Sequence, residues 1–212
     1  MSAERSWEPF SILETMRLED GRLVRRERHV ARARATADAL GAGWKGHDIG
    51  AAVDATMAAH PSGVWRVRLL VSIAGDPALE CTPFVHDRDR VWRVALGSEP
   101  VASSDPFLRH KTTRRRVYDS ARASRPEADD ALLWNEHGEI TESSIANVVA
   151  ELAGVRVTPP LACGLLPGVF RAVLLETGEI EEGVLTKEDL SSATRLWLIN
   201  SLREWIPASL VP

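Results

Sequence analysis

Apolar and polar side chains alternate along residues 64–73, with Val64, Arg66, Arg68 and Leu70 on one face and Trp65, Val67, Leu69 and Val71 on the other. A period of two predicts a strand. Residues 10–18 are rich in apolar and threonine positions and predict another, and Glu19-Asp20-Gly21 then turns the chain into a returning strand at Arg22-Leu23-Val24. The period changes after that. Val30, Ala33, Ala37 and Leu40 recur at helical spacing, so residues 28–40 predict a helix that Gly41 ends. A second helix is expected over residues 48–59, stopped by Pro61, and strands over 79–85 and 91–96 follow the turn Gly75-Asp76-Pro77.

The segment Glu99-Pro100-Val101-Ala102-Ser103-Ser104-Asp105-Pro106 combines two prolines with small polar residues and reads as a linker. Beyond it the pattern predicts a helix over 112–123, an apolar strand over 131–134 and a turn at Glu136-His137-Gly138-Glu139. Strands over 147–152 and 155–157 should form a hairpin across Ala153-Gly154. A short amphipathic helix over 169–177 closes at Gly178, a helical turn opens at Lys187, and residues 195–200 form a final buried strand. Strands and helices alternate throughout, which predicts a mixed α/β (α+β) fold. The expected division is a small N-terminal domain at 1–98, a linker at 99–106 and a larger C-terminal domain at 107–212.

Composition narrows the function classes. With 212 residues, 44% hydrophobic and 26% charged, the chain can bury a substantial core. Its net charge of -4 supplies no global field for nucleic acid or anionic membrane. Arg25-Arg26-Glu27-Arg28 and Arg114-Arg115-Arg116 are short basic clusters diluted by acids elsewhere. Cys81 and Cys163 make neither a disulfide framework nor a metal-ligand spacing, so reduced thiols and no metal are expected. Met1-Ser2-Ala3-Glu4-Arg5 leads into no apolar run, so neither a leader nor a membrane span is expected, and a cytoplasmic location is.

Several residues can carry chemistry. Lys111 lies among His110, Arg114, Arg115 and Arg116, cations that would make it a Schiff-base nucleophile if they converge on it. Glu142 is a carboxylate suited to keep a pyridine nitrogen protonated, with Asn147 five residues on to brace it. Gly164-Leu165-Leu166-Pro167-Gly168 precedes an amphipathic helix, so the amides of Val169 and Phe170 can hold a phosphate at the positive end of the helix dipole. Arg32 can add a bidentate contact to that phosphate, and Ser201 is a hydroxyl at a strand end. Taken singly, each also fits a plain role. Lys111 and Arg32 fit as solvated bases, Glu142 as a capping glutamate and Asn147 as a turn asparagine.

In chain order, Leu13-Glu14-Thr15-Met16-Arg17, His29-Val30-Ala31-Arg32, His110-Lys111-Thr112, Glu142 through Asn147, Thr158-Pro159-Pro160-Leu161 with Gly164 through Arg171, and Asn200-Ser201-Leu202-Arg203 resemble the class IV pyridoxal-phosphate aminotransferase family over nearly the whole chain. The resemblance implies a two-domain fold with a shortened N-terminal domain, bound pyridoxal 5'-phosphate and a homodimer. It also implies roles. Lys111 would be the lysine that carries the cofactor and shuttles protons, and Glu142 would pair with the pyridine nitrogen. Arg32, the Val169 and Phe170 amides and Ser201 would hold the phosphate, while Arg17 and Leu202 would meet a substrate bearing carboxylate and amine groups.

The run from His110 through Asp119, with Arg115 and Tyr118, is most similar to aminodeoxychorismate lyases, including lyase domains fused to a chorismate-aminating synthase. Branched-chain enzymes of the family typically have a tyrosine five residues after the lysine, where this chain has Arg116, and the position two after Asn147, normally aromatic, is Val149. The expected reaction is therefore cleavage of 4-amino-4-deoxychorismate to 4-aminobenzoate and pyruvate, with a possible association with a synthase. The alternatives are a class IV aminotransferase acting on a branched-chain or D-amino acid, and a catalytically idle family member serving as a binding module.

Overall fold

The computed structural model describes residues 9–212 and divides the chain into two compact units, the first ending at Phe84 but taking back Lys111–Arg114, the second holding the rest. The opening run Met1-Ser2-Ala3-Glu4-Arg5 lies outside the described residues. Among those described, no helix is long and apolar enough to cross a membrane.

The first unit is an antiparallel sheet backed by two helices. Strand β1 (Ile12–Glu19) pairs on one side with β3 (Val64–Val71) and at its far end with the short β2 (Arg22–Leu23), and β4 (Pro77–Pro83) lies outside β3. Helix α1 (Arg26–Leu40), closed by Gly41 as expected, packs along β1, and α2 (Gly46–Ala59) along β4. Register explains the two faces. Met16 lies opposite Val67 and Glu14 opposite Leu69, and Ile12, Met16, Leu18, Val67, Leu69 and Val71 are all buried. The helices cover that face, because Glu14 on it meets His29 and Arg32 of α1. The other face carries Leu13, Thr15 and Arg17 beside Leu70, Arg68 and Arg66.

The second unit is a sheet that closes on itself. Its strands are β5 (Trp92–Leu96), β6 (Asp130–Trp134), β7 (Ile140–Ser143), β8 (Asn147–Leu152), β9 (Val155–Thr158), β10 (Glu181–Glu182), β11 (Arg195–Asn200) and β12 (Glu204–Leu210). The order is β10-β9-β8-β11-β12-β5-β6-β7, and β7 pairs again with β8. Alternation sends Val148, Ala150, Leu196 and Leu198 into one core with Val94, Leu132 and Ile206. Val149 and Ile199 face the other way and pack on Phe170 and Leu174 of helix α5 (Val169–Glu176). The place where the family's usual aromatic is replaced by Val149 is thus a filled core position, Val149 being 0% exposed.

Three expectations differ from the structure. The division falls after Phe84, not at 98–106, because β5 pairs with β6 and β12 and so belongs to the large sheet. The linker candidate lies inside that unit and ends in a short helix, α3 (Pro106–Arg109), with Asp105 as its N-cap and Pro106 in its first turn. The helix expected over 112–123 is α4 (Arg116–Ala123). Its first residues are drawn off because the Lys111 carbonyl accepts from Leu13 N–H at 2.9 Å and Thr113 N–H donates to the Ser11 carbonyl at 2.8 Å, which keeps them extended beside β1. The remaining helix, α6 (Lys187–Ser192), has a full capping box at Thr186 and Asp189.

Glu14 is the costliest group in the first unit's core, at 1% exposure. Arg32 grips it with Nε to Oε1 at 2.8 Å and Nη2 to Oε2 at 2.6 Å, and His29 Nδ1 lies 2.7 Å from Oε2. Burial alone would raise the Glu14 pKa, but the Arg32 charge and the bonds from His29 and Arg32 outweigh it and bring it to about 2 from an ordinary 4.5. Burial also lowers the His29 pKa, against the pull of Glu14, so at neutral pH the neutral ring donates its Nδ1–H to the carboxylate. A carboxylate ionised more readily folded than unfolded contributes stability that is complete above about 4.5 and is lost as pH falls through about 2; the difference is worth about 3 kcal/mol. Glu14→Gln should therefore lower unfolding free energy at pH 7 by about 3 kcal/mol, since it removes the counter-charge of the part-buried Arg32 guanidinium. Urea titrations at several pH values check it. The gap between variant and wild type should narrow steadily below pH 4.

Candidate active site

The sequence-selected residues fall into two sets. Arg17, Arg32 and Lys111 belong to the first unit; Glu142, Asn147, Val169, Phe170, Ser201 and Leu202 belong to the second.

In the first unit, Lys111 is held by its backbone. The Leu13 N–H bond and the bridge between Ile12 and Thr112 lay residues 111–113 along β1, on the edge where β2 pairs farther along. Lys111 lies close enough to buried His29 for its charge to oppose protonation of that ring. Arg32 is bidentate to Glu14, so its guanidinium is oriented by a buried carboxylate. Glu14 and His29 lie in the motifs that carried the resemblance, but no role was read for them. Their signal was two polar residues at otherwise apolar positions of β1 and α1.

In the second unit, strand pairing brings distant residues to one end of the sheet. Glu142 on β7 lies opposite Asn147, the first residue of β8, and Asn147 is opposite Ile199, so Ser201 follows at the same end of β11. Glu142 is 3% exposed. Its Oε1 accepts from the Tyr118 hydroxyl at 2.8 Å and the Leu166 N–H at 3.0 Å, and Asn147 Nδ2 lies 3.4 Å from Oε2. Asn147 Nδ2 also donates to the Leu166 carbonyl at 2.9 Å. Arg115 donates to the Ser144 carbonyl at 2.5 Å and lies 4.8 Å over the Tyr118 ring. Tyr118 is 7% exposed; burial first, then the Glu142 charge, pushes its phenol well above the ordinary range, so it remains an O–H donor.

The glycine run is built to a tight tolerance. Gly164 has φ +87°, and a Cβ there would meet the Ser103 Cα at 2.6 Å. Ser103 is held by Glu136, which accepts from its N–H and hydroxyl at 2.8 Å each, and that bonding lowers the Glu136 pKa to about 2. At Gly168 an added methyl would overlap Asn147 Oδ1. Gly168 is also the N-cap of α5 and offers no capping side chain, so no side chain of its own occupies the positive end of that helix. Asn200 Oδ1 accepts from the N–H groups of Leu202 at 3.1 Å and Arg203 at 2.8 Å, which fixes the turn bearing buried Ser201 and Leu202. A buried, donor-supplied carboxylate beside an uncapped helix start fits a flat cationic ring carrying a phosphate.

The family model for amino-transferase class IV matches residues 11–211. The chain belongs to that family. Class IV aminotransferases and their lyase relatives are pyridoxal-phosphate enzymes, and the chemistry of this donor set agrees. A Schizosaccharomyces pombe protein named "Putative aminodeoxychorismate lyase" is 33% identical over 93% of this chain and 88% of its own length. Among solved structures, "a Putative amino-acid aminotransferase" from Mesorhizobium loti is 40% identical with TM-score 0.90, covering 95% of this chain and 100% of the other. A hypothetical aminotransferase from Mycobacterium tuberculosis in its PLP-bound form, 20% identical with TM-score 0.79, covers 94% of this chain and 81% of that one and shares the class IV fold.

Because Gly168 and Asn147 Oδ1 compete for one space, Gly168→Ala should destabilise the protein by about 1–3 kcal/mol. In an Asn147→Ala background the overlap is gone, so the double variant should lose less than the sum of the singles. Chemical denaturation of the four proteins gives the coupling directly, and strict additivity would remove the contact from the account.

Proposed function

We propose that this class IV enzyme is a 4-amino-4-deoxychorismate lyase, releasing 4-aminobenzoate and pyruvate. The observation that carries the reading is the 33% identity to the lyase-named fission-yeast relative across 93% of this chain. The arginine-bearing face of the first unit's sheet supports it. Arg17 lies directly opposite Arg66, with Arg68 one face-position along β3; Glu19 lies 3.3 Å from Arg17 and Glu80 3.4 Å from Arg68, and the three guanidiniums together give that face the donors an anionic substrate needs. A substrate with two carboxylates would use them, Arg17 being the first contact and Leu202 an apolar one.

The residues would share the work as follows. Glu142 meets the pyridine nitrogen and Asn147 braces it. The Val169 and Phe170 amides, Ser201 and Arg32 take the phosphate. When bound, pyridoxal 5'-phosphate supplies the electron sink for the reacting carbon. Lys111, its covalent anchor, would accept the proton from the amine-bearing ring carbon; the bond between the neighbouring ring carbon and the ether oxygen then breaks, aromatisation drives the departure of enolpyruvate, and a proton taken up at its methylene carbon makes it pyruvate. One base suffices. A homodimer, a cytoplasmic location and a functional association with the amination enzyme that makes the substrate belong to the same reading.

A second reading, amino-acid transamination on the same residues, is favoured by the 40% identical Mesorhizobium loti structure. The two separate on one assay. With enzymatically generated 4-amino-4-deoxychorismate, added pyridoxal phosphate and no keto acid, the lyase gives pyruvate and 4-aminobenzoate in equal amounts. Lys111→Ala should lose that turnover by at least about a thousandfold while keeping its far-ultraviolet circular dichroism. No product from substrate, together with amino transfer from an amino acid to a keto acid, would decide for the transaminase.

A further inference from the structure

Tyr118 is the only tyrosine in the chain and lies seven residues after Lys111, not five. Its hydroxyl is committed to Glu142 Oε1 at 2.8 Å inside a site where both residues are under a tenth exposed. The backbone N–H of Leu166 shares that oxygen at 3.0 Å. Arg115 holds the phenol ring from above, 4.8 Å from its centroid, and is itself tied to the Ser144 carbonyl.

Hydrogen bonds to an ionised carboxylate stabilise the charged form and lower its proton affinity. If Glu142 meets the pyridine nitrogen, one proton is shared between carboxylate and ring, and each donor on the carboxylate drives that proton toward the ring. We infer that Tyr118 is a positioning residue that keeps the shared proton off Glu142, and so sets how electron-poor the bound cofactor ring is. The inference rests on the assignment of Glu142 to the ring nitrogen. The phenol suits the task because burial and the neighbouring carboxylate hold it protonated across the working pH range. Groups facing the hydroxyl come from several elements. Glu142 lies on β7, Arg115 just before α4 and Asp105 at the N-cap of α3, while Asn147 of β8 and the Leu166 N–H share the Glu142 carboxylate with the phenol.

The test uses cofactor-loaded wild type, Tyr118→Phe, Glu142→Gln and the double variant, read by the pH midpoint of the bound cofactor's visible absorption and by kcat and KM. Tyr118→Phe should move the midpoint and lower kcat about tenfold to a hundredfold with KM little changed, the range for a hydrogen bond to a charged group. The double variant should match Glu142→Gln, since the phenol acts through that carboxylate. Equal effects of Tyr118→Phe with and without Glu142, or none at all, would overturn the inference. An unchanged absorption profile in Glu142→Gln would instead remove the ring-nitrogen assignment beneath it, a distinguishable failure.

A measurement without Tyr118→Phe guards against a variant that does not fold. With one tyrosine present, phenolate absorbance near 295 nm reports Tyr118 alone. In wild-type holoenzyme it should ionise only on alkaline unfolding, and in Glu142→Gln its midpoint should fall by at least about tenfold in proton concentration. The same midpoint in both proteins would overturn the coupling.

Discussion

Burying the Glu142 carboxylate strips its hydration, and the second unit returns that solvation with donors from three separate parts of the chain: the Tyr118 hydroxyl, the Leu166 amide and the Asn147 carboxamide. An ion left in such a place without donors would cost several kcal/mol, so the donors must be delivered accurately. That requirement shapes its surroundings. Tyr118 needs α4 to start at Arg116, Asn147 needs the β7–β8 pairing, and Leu166 needs the turn that only Gly164 can make against Ser103. Asn147 in turn needs Gly168 bare, which leaves the start of α5 uncapped. The uncapped helix end and the buried carboxylate are thus two consequences of one packing solution.

The first unit solves a similar problem with a side chain of opposite sign. Glu14 is buried as deeply as Glu142, but beside the neutral His29 ring it has the Arg32 guanidinium, a full counter-charge, as its partner. A carboxylate supplied with neutral donors keeps its charge on offer to a cationic ring. One clamped by arginine has its charge largely cancelled and serves instead to aim that arginine. Lys111 is placed differently again, by backbone pairing with β1, which fixes the point from which its side chain departs.

Sequence reading reached the parts whose signals are local. The hairpin turn at Gly21, the Gly41 closure of α1, the β8–β9 hairpin across Ala153-Gly154 and the span of β11 all follow from turn chemistry and period. It failed where partners are remote. Residues 112–115 have helical composition, yet Thr113 gives its N–H to Ser11, over a hundred residues away along the chain. Strands β7 and β12 lack a clear alternation, Ile140–Ser143 being buried throughout, and so were not read from pattern. The domain division was misplaced for the same reason, since the parallel partners of β5 come from strands far downstream. Of the candidate site, the residue types were legible from their spacing, whereas the donors to Glu142 were not, because a hydrogen bond across 24 positions leaves no local mark.

The displacement of the tyrosine from position five to position seven after the lysine gains a physical meaning from the backbone. With Lys111–Thr113 extended along β1 and helix beginning only at Arg116, Tyr118 sits in the first turn of α4 and lays its ring into the cluster of Val101, Leu108 and Leu133. From there its hydroxyl is spent on the carboxylate of Glu142. Arg116, at position five, lies at the opening of that helix and is exposed. A phenol that acts on the carboxylate tunes the proton shared with the ring, a property equally useful to elimination and to amino transfer, so substrate choice must come from elsewhere, and the first unit's sheet face, where Arg17 and Arg66 lie in register beside Arg68, carries the cationic side chains suited to it.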